Sequence, residues 1–181
     1  MHMNLRPTID SSALVKRVLV LALLAVPAAY SQHDALSHSD AAFLKDAAEG
    51  GMDEVKLGEL AQQHGASDRV KKFGQRMVDD HTKMNGEVQA LAARKNVTLP
   101  TDISVRQHAS YKLLSDKNGE AFDKSYISSM VKDHQDDIAA FQKEANTGSD
   151  PDVKALVTKA LPTLQEHLRM AQDIARELGV N

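Results

Sequence analysis

Four long stretches of this sequence space their apolar residues three or four positions apart, and each stripe is broken once by a residue that prefers water: Glu54, His81, His134 and His167. The period is that of an α-helix with one buried face. Phe43, Ala47, Gly50, Glu54, Leu57 and Ala61 make the first stripe, and Val70, Phe73, Met77, His81, Met84, Val88 and Leu91 the second. Ile127, Met130, His134, Ile138, Phe141 and Ala145 follow, and then Val153, Val157, Ala160, Leu164, His167, Ala171, Ile174 and Leu178. A polar side chain facing an apolar core without a partner is costly. Metal ligation is one cause that serves all four interruptions at once.

Turn signals punctuate these stripes. The first helix is expected over about Ser39 to His64, closed by Gly65, and the second from a cap at Ser67 or Asp68 to about Lys95. Asn96 to Pro100 is a connector, and Thr101 can cap a helix running to about Lys117. Asn118 and Gly119 then interrupt the pattern, so the third long segment, ending near Ala145, is either bent or restarted there. Asp150 followed by Pro151 is an N-cap and first-turn pair for a last helix that ends before Gly179, with Pro162 expected to bend it. The fold class is therefore all-α: an antiparallel four-helix bundle with a longer middle crossover and a bent or interrupted third helix. If the turns at Gly65 and near Gly148 share one end of the bundle, Glu54 lies about 15 Å in, His81 and His134 about 21 Å, and His167 about 25 Å. All four can converge.

Lys16 and Arg17 precede an apolar run from Val18 to Val26, followed by Pro27, Ala28 and Ala29. A basic start, a short hydrophobic segment and a small-residue exit read as a secretory signal peptide, too short for a membrane span. A first helix of the domain is the competing reading, but the run lacks amphipathic spacing and stops at Pro27. Cleavage is expected after Ala28, with Ser31 as the alternative. Residues 1–28 are thus leader and signal, 29–38 a linker carrying His33 and His38, and 39–179 the bundle. Losing three basic residues and one acidic one takes the formal charge of -3 to -5 in the mature chain. An acidic domain offers no basic face for nucleic acid. With no cysteine in the chain, an extracytoplasmic location brings no disulfide, no thiolate ligand and no lipid anchored through cysteine.

Three imidazoles and one carboxylate suit zinc first, with iron or manganese as further candidates, while the absence of thiolates disfavours copper(I) or an iron-sulfur cluster. Each imidazole needs an acceptor for its second nitrogen, and Asp80, Asp133, Asp137 and Glu166 are the nearby candidates in sequence. Met77, Met84 and Met130 read as core filler. His64 sits at a helix end, and His108 has no mate at ligand spacing.

The repeated MVDDH at Met77 and MVKDH at Met130, with GGMDEVKLGELA from Gly50, SYISSMVKDH from Ser125 and LPTLQEHL from Leu161, resemble a family of exported bacterial ferritin-like proteins. That family is catalogued as a domain of unknown function and often labelled an outer-membrane protein. The resemblance covers about Asp40 to Leu178 and implies a helical bundle, with the recurrent glutamate of the family at Glu54 and its recurrent histidines at His81, His134 and His167. It departs from di-iron ferritin-like sites, which carry Glu-x-x-His on two helices. Val78, Val131 and Leu164 hold the positions where those glutamates would stand. Amphipathic helices do not build an outer-membrane barrel.

The function expected is therefore an extracytoplasmic divalent-metal-binding bundle concerned with metal handling or envelope stress. A metal-free structural or protein-interaction bundle and a mononuclear metalloenzyme are the alternatives, and enzymatic activity stays open. Three histidines plus Glu54 would fill a tetrahedral ion and leave no position for substrate. No phosphate-cradling glycine loop or serine-histidine-acid order is present.

Overall fold

The computed structural model describes residues 36–180, which form five helices and no strand. The leader, its cleavage site and most of the linker lie outside the described residues. Helix α1 is His38–His64, α2 Asp68–Arg94, α3 Val105–Ser115, α4 Gly119–Thr147 and α5 Pro151–Leu178. The four long helices are those expected, and α3 is a short fifth helix inside the crossover.

Local chemistry fixes the ends. Ser37 caps α1 by accepting from the Asp40 amide, Ser67 caps α2 from Arg69, and Asp150 caps α5 from Asp152 and Val153. His38, assigned to the linker from sequence, is instead the first residue of α1. Thr101 does not start α3. Ser104 does, because it forms a reciprocal capping box with Gln107 that satisfies two backbone groups at once. Gly119, at φ 65°, begins α4 after a break, so the third segment is interrupted rather than bent. Helix α5 continues through Pro162 and ends at Gly179, which adopts the left-handed conformation a C-terminal glycine supplies.

The two hairpin turns sit at opposite ends of the bundle, not at one end. In the first turn of α1, the Asp40 carboxylate accepts hydrogen bonds from Ser149 and Asp150 at 3.1 and 2.8 Å, which docks the α4–α5 turn against the start of α1. Lys95, just past α2, joins the same end through Asp150 and Asp152 at 2.7 and 2.8 Å. At the other end Asp123 of α4 accepts from the amides of Ala66 and Ser67 at 3.0 and 2.9 Å, and Gly65 bridges to Gly119. Arg69 and Glu177 pair there as well. Helices α1 and α5 therefore run one way, α2 and α4 the other, and the segment containing α3 spans the length of the bundle. Counted from the Gly65 end, Glu54 stands about 15 Å in, His167 about 17 Å, His81 about 20 Å and His134 about 22 Å. The corrected topology brings the four closer in height than the sequence estimate did.

Two apolar clusters fill the ends. Leu57, Phe73, Met77, Phe122, Tyr126 and Met130 belong to one, and Leu44, Val88, Leu91 and Val153 to the other. On each long helix the polar interruption falls between residues of the two clusters or beside them. Of the residues expected in the core, Phe73, Met77, Val88, Leu164 and Ile174 are buried, whereas Ile138, Phe141 and Leu178 are only partly so. Phe141 lies edge-on to Phe43 at 5.0 Å beside a cavity that is partly open to solvent, which explains its residual exposure. Helices α1 and α2 touch backbone to backbone: a Cβ at Gly58 would lie 2.6 Å from the Gly74 carbonyl oxygen. That close approach sets the height of His81 against α1.

Candidate metal centre

His81 comes from α2, His134 from α4 and His167 from α5, each from the inward stripe of its helix. Their exposures are 3%, 0% and 0%. Ring centroids are 5.8 Å apart for His81 and His134, 5.4 Å for His81 and His167, and 5.3 Å for His134 and His167. One ligand nitrogen from each lies within 4.8 Å of the other two, and among the described residues this is the one such group of histidines or carboxylates. Ions bound to imidazole at about 2.0 to 2.1 Å hold ligand nitrogens about 3.4 Å apart, so each ring needs to move inward by about 1 Å or less.

Hydrogen bonds fix which nitrogen faces the centre. The Nδ1–H of His134 donates to the Met130 carbonyl one turn earlier, at 2.9 Å, and leaves Nε2 with its lone pair. The Nε2–H of His167 donates to Asp80 Oδ2 at 2.8 Å and leaves Nδ1 free. Nε2 of His81, Nε2 of His134 and Nδ1 of His167 are all buried and without a hydrogen-bond partner. A single orphaned buried acceptor is uncommon and costs about 1 to 3 kcal/mol. Three on rings that converge in one layer are the pattern expected of a ligand set. A carboxylate or carbonyl acceptor behind a ligating histidine is the usual support for such a site.

The electrostatics agree. Burial, followed by the neighbouring imidazoles, holds His81 well below its ordinary pKa, and burial together with His167 lowers His134 to about 4. Burial also lowers His167, although Asp80 opposes it. All three rings are neutral at pH 7, the form that binds metal. Burial by itself would raise the Asp80 carboxyl, but hydrogen bonds from Arg76 and His167 outweigh it and keep the group ionised.

Glu54 shares the layer but stands apart from the triad. Its Oε1 is 3.8 Å from His134 Nδ1, the nitrogen turned toward Met130, and its Oε2 has no partner. Burial, with Asp137, Asp133 and Asp53 close by, pushes this carboxyl well above its ordinary range, toward the neutral form. Of the four acceptors nominated from sequence, Asp80 serves His167 across a helix interface rather than the adjacent His81. Asp133 and Asp137 lie with Glu54, and Glu166 pairs with Arg169. The Met130 carbonyl was missed, although an i−4 carbonyl is open to any histidine that turns back along its own helix. Tyr126 was missed too, a fully buried residue whose hydroxyl has no partner and whose proton is held by burial and by Glu54. His64 bonds the Lys117 carbonyl at 2.9 Å, and exposed His108 pairs with Asp102 at 3.1 Å. Neither joins the centre.

No curated protein matches the chain. Two solved structures share its fold. A DUF305 fragment from Deinococcus radiodurans aligns with a TM-score of 0.70 at 14% identity, covering 80% of this chain and 98% of that one. A structure described as CopM in the Cu(I)-bound form aligns with a TM-score of 0.64, also at 14% identity, covering 76% of this chain and 96% of that one. At such identity the likeness speaks for the fold alone. A family model described as a domain of unknown function, DUF4142, matches residues 25–174, and the chain belongs to that family.

Proposed function

We propose that this chain is an extracytoplasmic metal-binding bundle whose ion is held by His81, His134 and His167, with Glu54 beside the centre rather than on the ion. The observation that carries the reading is the set of three buried, unpartnered ring nitrogens, two of them aimed by hydrogen bonds at their far sides. A divalent ion, zinc first, completes its shell with a fourth ligand from solvent. Cu(I) is the competing occupant: CopM is described in a Cu(I)-bound form, and three imidazoles accept that ion. The role that fits is metal handling. Export is supported by the basic and apolar leader, and among the described residues no helix is long and apolar enough to cross a membrane. The single end-to-end crossover supports kinship with ferritin-like bundles, without their Glu-x-x-His ligands.

Elemental analysis of natively purified protein, with competition titrations for zinc, Cu(I), iron and manganese, tests the reading. One ion per chain, lost in His134→Ala and kept in His64→Ala, is expected. Metal-free native protein whose thermal stability ignores both chelator and added metal would return the molecule to a plain structural bundle.

A further inference from the structure

A cavity of ≈ 200 Å³ opens between the four long helices on one side of the histidine layer. Its walls are mainly apolar. Phe43 of α1 and Phe141 of α4 meet there edge to face, with Val88, Leu156 and Leu164 around them. A void of about 150 Å³ accommodates a benzene ring, so the space suits a small aryl or branched alkyl body. Two acidic residues of the wall are already committed: Asp80 to Arg76 and His167, and Glu87 to Lys159 of α5 at 2.8 Å. Asp46 and Lys83 belong to the exposed rim.

Asp137 is different. It lines the cavity from α4, is only partly exposed, and makes no hydrogen bond or ion pair among the described residues. A mostly apolar pocket with one unmatched charged group is the usual form of a small-molecule site, and aromatic rings beside a carboxylate favour a cation over a neutral or anionic guest. The geometry points to a binding site for a small organic ammonium ion, its apolar body packed against the Phe43–Phe141 pair and its charged head on the Asp137 carboxylate. Burial, with Asp133 and Asp136 near, pushes the empty Asp137 carboxyl up to about 7. A bound ammonium supplies the missing countercharge and returns it to the ionised form. The site needs no ion on the histidines.

Calorimetric titration of the purified chain with benzylamine at pH 7, beside benzyl alcohol as its neutral analogue, tests the assignment. Saturable one-to-one binding of benzylamine, at least tenfold tighter than the alcohol, is expected, and Asp137→Asn should erase that preference. Gly50 lines the cavity, and a Cβ built on it meets nothing within 4 Å. Gly50→Leu should therefore project its side chain into that space and abolish binding while circular dichroism stays helical. Equal binding of amine and alcohol, an unaltered preference in Asp137→Asn, or full binding by folded Gly50→Leu would each overturn the site. Binding that vanishes with chelator and returns with zinc would also overturn it, by placing the amine on the ion through His81.

Discussion

Acid release of the metal discriminates a buried triad from a surface cluster of histidines, and the expected difference is large. Only neutral imidazole binds, so each proton taken up weakens the site. With the ordinary pKa of about 6.5, one histidine loses about 25-fold between pH 7 and pH 5, and three lose about 10⁴-fold together. In this bundle His134 is held at about 4 by burial and His167, and His81 lies well below its ordinary value for the same reasons. At the value of about 4 held by His134, the same two-unit drop weakens binding by only about 10%. His167 is lowered as well but is opposed by Asp80; even at the ordinary value it would contribute no more than about 25-fold. Affinity should therefore fall by no more than about 10²-fold from pH 7 to pH 5, with steep release only at lower pH. Asp53 and Asp137, pushed up to about 6 and about 7, also take up protons in this window. They stand outside the triad and act on the ion only through space. Competition against a chromophoric chelator calibrated at each pH measures the fall. A loss near 10⁴-fold over those two units would mean that the rings are hydrated and titrate freely, and the buried centre would be wrong.

Asp80→Ala removes the acceptor that orients His167 and should weaken metal binding about 10- to 100-fold with the helical signal unchanged; unchanged affinity would take Asp80 out of the site. Gly58→Ala drives a Cβ to 2.6 Å from the Gly74 carbonyl oxygen, a rigid atom, and should destabilise by about 1 to 3 kcal/mol in denaturant unfolding. Gly50→Ala, with open space around it, should instead stabilise by about 0.5 to 1 kcal/mol. Leu164 is 1% exposed, and Leu164→Ala should cost about 2 to 5 kcal/mol by the same assay. Intact-mass measurement of protein from an extracytoplasmic fraction should show a new terminus between Ala28 and Gln32; full-length chain confined to the cytosol would refute export.

Helix periodicity was legible because an amphipathic stripe is written locally, residue by residue. Caps at Ser67 and Asp150 and the stop at Gly179 follow from side-chain chemistry within one turn, and they were legible for that reason. Ser104 was not chosen over Thr101, because its advantage depends on Gln107 folding back to complete the box. Contacts between distant segments carry no local mark. The docking of Asp40 against Ser149, which sends the two turns to opposite ends, joins residues that no periodic pattern relates. Asp80 reaching His167 is of the same kind.

The misplaced turn did not spoil the convergence of the histidines, and the reason is geometric. His81 and His167 lie near the middle of 27- and 28-residue helices, and His134 at the centre of one of 29. A residue at mid-helix keeps nearly the same height whichever end is counted from, whereas one near a terminus would be displaced by most of the bundle length. The position of Glu54 relative to the ion is a finer matter, decided by rotation rather than height. Rotating α1 toward α4 sets its carboxyl against the Nδ1 side of His134 and among Asp53, Asp133 and Asp137. A carboxyl crowded by three others is pushed toward its neutral form, and a neutral carboxyl beside an imidazole N–H is a poor ligand. Asp53 and Asp137, at about 6 and about 7, take up protons before His134 at about 4, so acid reaches the neighbouring carboxylates ahead of the triad.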